Sequence, residues 1–164
     1  MDGREVQIER WSSRAFYVTS CPFRVDLPLD MSGCVAGALH ESQRAGHRRI
    51  AGGLVLASDA RRGGAIFVEV EPGADDASIV VVDADVLARR LPPSKPALRN
   101  EVDELLRWSG ELGHAIAAFY VGFTAGERPR SFHASRLFAA LESTAVVEPF
   151  EVRSRKQYVA RALF

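Results

Sequence analysis

Apolar and polar positions alternate with a period near two through the first thirty residues. "REVQIER", "AFYVTS" and "FRVDLPL" each read as a short strand, the last interrupted by proline. Val35, Leu39 and the polar run after them predict a short helix over about 32–45, which Gly33, Gly37 and Gly46 weaken. "IAGGLVLAS" and "GAIFVEVEP" predict two strands joined by the hairpin connection "DARRGG". In the second half "ASIVVVDA" predicts a strand, and the proline-rich "LARRLPPSKPALRN" a connection. "EVDELLRWSGELGHAI" carries Val102, Leu105, Leu106, Leu112 and Ile116 at helical spacing. Then come a strand at "AAFYVGF", a turn at "TAGERPR", a short strand at "RSF", a second helix at "HASRLFAALES" and a closing strand at "AVVEPFEV".

From residue 77 the order is strand, helix, strand, strand, helix, strand, which is the split arrangement of a ferredoxin-like domain. The expected fold class is α+β, with a β-rich domain over residues 1–76 followed by a ferredoxin-like domain over 77–164. The boundary falls in "PGADDAS". The 1–76 domain would offer its exposed face to a partner.

Composition narrows the function classes. With 164 residues and 47% hydrophobic content, the chain can build a core without disulfides or metal. Twenty-one basic side chains balance 21 acidic ones, so no net field draws in a phosphate backbone or an acidic membrane surface, and nucleic acid is not an expected partner. Apolar runs are broken by Asp83 and Asp85 well before a membrane span, and no leader-like segment precedes them. Cys21 and Cys34 alone point to a cytoplasmic protein with reduced, core-placed thiols.

No phosphate-cradling glycine loop, dinucleotide fingerprint, HExxH or CxxC is present, so a non-catalytic role is favoured over an enzyme. Ser109 and Ser131 lie near histidines in sequence, but a triad is a matter of geometry. Asp83 and Asp85 alternate on one strand and could hold a hard cation or act as an acid–base pair, or simply mark the strand's end. The pairs Arg48–Arg49, Arg61–Arg62 and Arg89–Arg90 could recognise phosphate or carboxylate, or be solvated loop charge. Trp108 lies near the apolar stripe of its helix and reads as core. His40 and His47 would share a face only on an unbroken helix, which Gly46 opposes. His114, near the end of the main helix, could complement its dipole. His133 could face a metal, and a two-fold axis in a homodimer would bring two copies to one ion.

The second half resembles the urease accessory nickel metallochaperones, the UreE family. "ELGHAIAAFYV" occupies the place of that family's Leu-Gly-Asn-Arg-His motif and keeps Leu112 and Gly113. "AGERPRSFHASRLFAAL" and "VVEPFEV" match its Gly-Glu turn, its metal-binding histidine and its closing Pro-Phe-Glu through Gly126, Glu127, His133, Leu137, Pro149, Phe150 and Glu151. Phe132 stands where the family has aspartate. The resemblance covers about residues 98–152. It implies a homodimer in which His133 from both subunits binds Ni²⁺, with Zn²⁺ as the alternative ion and His114 as a further candidate ligand, and which passes the ion to a protein partner in a metallocentre assembly complex. Competing expectations are a metal-free adaptor on the same fold and a small-ligand-binding enzyme using Asp83, Asp85 and arginines.

Overall fold

The structure is a computed structural model that describes residues 6–21, 32–58, 64–73, 76–92, 98–125 and 131–142. Six strands and two helices follow one another as β1 (Gln7–Cys21), α1 (Ser32–Arg44), β2 (Val55–Ser58), β3 (Gly64–Val70), β4 (Ile79–Arg90), α2 (Leu98–Leu112), β5 (Ile116–Ala125) and β6 (Phe132–Leu141). The strands close into an antiparallel barrel in the order β1-β3-β2-β5-β6-β4.

This corrects the ferredoxin-like expectation, and the decisive segment is 132–141. The helix expected over 133–143 is replaced by β6, paired along its length with β5 and partly with β4. The error has a physical cause. Leu137 to Leu141 are all buried, because one face of the strand looks into the barrel and the other lies under the helices. A strand covered on both faces carries a continuous apolar run, and such a run satisfies helical spacing by accident. The expected strand at "AVVEPFEV" lies outside the described residues, as does "FRVDLPL".

Other elements conform more closely. The first two expected strands are one, β1, bent by a bulge between Trp11 and Arg14 where Ser13 takes a left-handed φ of 49°. α1 forms where expected, and α2 ends at Leu112 instead of running to Ile116.

The chain is built twice over. Each half runs strand, helix, strand, strand, and within each half the third strand lies between the other two: β1-β3-β2 and β4-β6-β5. Like meets like at both seams, β1 with β4 and β2 with β5. The two units together complete one barrel. The helices end alike. Gly46 and Gly113 take positive φ, the next backbone N–H, of His47 and His114, donates to the carbonyls of Ser42 and Ser109, and those serines cap the carbonyls of Leu39 and Leu106.

Two apolar layers result. The outer one sets Val35 and Ala38 of α1 and Val102 and Leu105 of α2 against the outward-facing positions of the strands. Trp108 packs against this layer, in keeping with its expected core role. The inner layer fills the barrel with Trp11, Phe16, Phe67, Tyr120 and Phe138. Rings from non-adjacent strands meet there: Trp11 lies 6.0 Å from Tyr120 and 5.1 Å from Phe138. Across the interior, Phe67 meets Tyr120 edge-on at 5.4 Å. No helix among the described residues is long and apolar enough to cross a membrane.

Candidate functional site

The two histidines singled out from the sequence as metal ligands do not converge. His133 is exposed on β6 opposite Thr124, and His114 is exposed just before β5. The β5–β6 ladder begins at Ile116↔Leu141 and ends at Ala125↔Phe132, so the two imidazoles flank opposite ends of it. At about 3.3 Å per residue that puts them roughly 25 Å apart along the strand. One chain therefore does not bring both to one ion. Among the described residues no group of three or more His, Cys, Asp or Glu is arranged to hold a metal.

The other candidates take structural positions. Asp83 is ion-paired to Arg10 and accepts a 3.3 Å hydrogen bond from Ser13 Oγ, while Asp85 lies 3.6 Å from the same guanidinium. This cluster pins the bulge of β1 to β4. Arg89 is bonded at 2.5 Å to Glu101 of α2, a mostly buried pair that fastens the helix to β4. His47 lies 2.8 Å from Asp76 and packs at a tilt against the Tyr17 ring, 5.2 Å between centroids, and the Tyr17 hydroxyl donates to Glu41. Burial and that carboxylate push the Tyr17 hydroxyl above its usual range. Asp76 is held below the usual carboxylate range by the Ser78 backbone N–H and then by His47. Cys34 was expected to be a reduced thiol and is disulfide-bonded. Arg61 and Arg62 lie outside the described residues.

A different set of side chains gathers at one mouth of the barrel. The bulge at Ser13 turns Trp11 fully into the interior, where its Nε1 donates to Glu9 at 3.3 Å. Arg14, on the far side of the bulge, lies over the Trp11 ring at 5.5 Å and within 3.7 Å of Glu69. Glu69 is buried and accepts the Leu54 N–H at 2.9 Å. Arg136 of β6 lies over Phe138 at 4.6 Å and is ion-paired to Glu9. Each guanidinium thus covers an aromatic face and is held there by a carboxylate.

Beside this cluster is a cavity of about 300 Å³. Arg136 and Phe138 line one wall, Gly53, Leu54 and Arg49 another, and Thr124 and Ser135 a third. Thr124 and Ser135 hydroxyls lie 2.6 Å apart. Arg49 is exposed and forms no ion pair among the described residues. Of the three arginines at this mouth, Arg14 and Arg136 are matched by Glu69 and Glu9, which leaves the positive charge of Arg49 over. Deeper in, Ser58 is fully buried and its Oγ has no hydrogen-bond partner. Burial alone drives the Tyr120 hydroxyl far above its usual range, so it stays a neutral phenol.

The barrel has a counterpart of known structure. It superposes on the crystal structure of the EcmrR C-terminal domain with a TM-score of 0.57 and 12% identity, covering 86% of this chain and 99% of that one. At that identity the likeness is one of fold. No family model matches the sequence, and no curated protein does. The expected urease accessory assignment is corrected here: its ferredoxin-like frame is absent, and the structural likeness is to a different domain.

The mouth was missed in the sequence for an identifiable reason. Glu9, Trp11, Arg14, Arg49, Glu69 and Arg136 come from β1, the turn before β2, β3 and β6, and only barrel closure brings them together. One available signal was the pairing of aromatic and arginine positions two or three apart in "WSSR" and "RLF".

Proposed function

We propose that the protein is a non-catalytic binding module whose barrel mouth takes a small organic acid with a planar apolar body. The observation that carries this reading is the cavity of about 300 Å³ that sets Arg49 and Arg136 beside the face of Phe138. A site of this size, with an aromatic wall and a few fixed polar groups, fits a small molecule better than a macromolecule. The acid group would engage Arg49, which has no ion-pair partner among the described residues, and bond to Arg136 at the cost of part of the Glu9 pairing. The planar body would lie on Leu54 and on the Arg136 guanidinium that covers Phe138. Thr124 and Ser135 would supply orienting hydroxyls.

Isothermal titration with 1-naphthoate and with the uncharged 1-naphthalenemethanol tests this. The expected result is saturable binding of the acid, weaker binding of the alcohol, and at least a tenfold loss for the acid in Arg136→Gln and Arg49→Gln. Equal affinity for acid and alcohol, or naphthoate binding untouched by both substitutions, would overturn the reading.

A further inference from the structure

We infer that a second anion site lies on the outside of the barrel, in the groove beside α1, and that it takes an organic phosphate. The groove has a volume of about 1050 Å³ and runs from the flank of α1 past its C-terminus to the start of β6. His40, His47, Arg48 and Arg49 line it on the polar side, Leu39 and Phe132 on the apolar side, and no carboxylate residue lines it among the described residues.

Three features make these side chains a site instead of scattered surface charge. First, their backbone is fixed. Arg48 accepts the Glu71 N–H at 2.8 Å, and Arg49 forms a bridge to Val70, so both arginines leave from the rim of β3 with their guanidinium groups exposed. Second, neither arginine has an ion-pair partner among the described residues, in contrast to Arg10, Arg14, Arg89, Arg107 and Arg136. Third, the negative end of α1 is blunted at this place. The carbonyls of Glu41, Ser42 and Gln43 are taken by the N–H groups of Ala45, His47 and Gly46, so they do not oppose an anion with free lone pairs.

His47 is itself held by Asp76, which leaves Arg48, Arg49 and the exposed His40 as the groups free to meet a ligand. Two guanidinium groups adjacent in sequence suit a phosphate that offers several acceptor oxygens. The flat apolar wall at Leu39 and Phe132 suits an organic substituent on that phosphate. Arg49 lines both this groove and the cavity at the barrel mouth, so it cannot distinguish the two sites. Arg48 and His40 belong to the groove alone.

The test titrates phenyl phosphate and inorganic phosphate into the full chain at constant ionic strength, with 1-naphthoate present at saturation to occupy the barrel mouth. Saturable binding is expected, with phenyl phosphate the tighter by several-fold and inorganic phosphate competing with it. Arg48→Gln and His40→Ala should each weaken phenyl phosphate, Arg48→Gln by at least tenfold, while Arg136→Gln at the mouth and Arg107→Gln on α2 leave it unchanged. A circular-dichroism melt of each variant verifies that it is folded. Loss in Arg136→Gln with none in Arg48→Gln would put the phosphate at the mouth and overturn the groove site, as would equal small losses in all four variants or no saturation at all.

Discussion

Phe138 lies so close over Gly122 that a β-carbon built there would come within 2.8 Å of its ring. The ring can give way only at a cost, since Phe138 is fully buried and packed on Trp11 at 5.1 Å. Gly122 also marks an irregularity in the β5–β6 register. Gly122→Ala should therefore force the ring toward the barrel interior and cost about 1–3 kcal/mol, the usual penalty of overpacking. Urea unfolding measures the cost. A loss of naphthoate affinity should accompany it, because Phe138 is the aromatic wall of the cavity.

Arg89 and Glu101 form the mostly buried pair that ties α2 to β4. Removing one partner strands the other charge away from water. Glu101→Leu should lower stability by about 3–5 kcal/mol, and Arg89→Met should act similarly. The double variant should recover much of the loss, since two apolar groups of similar volume leave nothing unpaired. A double-mutant cycle in urea verifies this; additive losses would show that the pair itself contributes little coupling.

How much of this could be read in the sequence depended on whether a pattern had one explanation or two. α1 was legible from Val35 and Leu39, and β5 from a run of β-formers. α2 was legible from Val102 and Leu105, although Leu106 and Leu112 of the same expected stripe are exposed. β6 was not legible, because Leu137, Phe138 and Leu141 satisfy a helix and a doubly covered strand equally well. The closure of the barrel depends on β1 pairing with β4 and β2 with β5, contacts that no local pattern encodes. A trace of the internal repeat was present in "SQRAGH" and "SGELGH", where serine, glycine and histidine recur at the same spacing. Gly46 reads from the sequence as a residue that weakens a helix and Gly113 as part of a family motif, and their shared role as helix ends shows only in the fold. The mouth was hidden for the same reason as the closure, since Glu9 and Arg136 are neighbours only in the finished barrel.

The assignment of 132–141 to a strand gives a contrast between two of its residues. Leu137 is fully buried between β4, β5 and the helices, so Leu137→Ala should cost about 2–5 kcal/mol. His133 is exposed on the same strand, and His133→Ala should change stability by no more than about 0.5 kcal/mol. Chemical denaturation of both variants at neutral pH checks the contrast. A large destabilisation by His133→Ala would mean that the imidazole has a partner that this arrangement of β6 does not provide.

Asp76 joins the turn before β4 to the end of α1 through the Ser78 N–H and His47. Its carboxyl is held below the ordinary value, so the folded state favours the charged form more than the unfolded chain does. The sign follows from linkage. The stabilisation is present in full above the unfolded carboxylate pKa of about 3.9 and is lost as pH falls through the lower folded value. Asp76→Asn should accordingly be less stable than the wild type at roughly pH 5, and the two should converge only as pH falls below the lowered folded value, where the wild-type carboxyl is protonated as well. Urea midpoints for both proteins across that range check it. A gap that persists unchanged at the acid end would assign the loss to altered hydrogen bonding by the amide and not to the carboxylate charge.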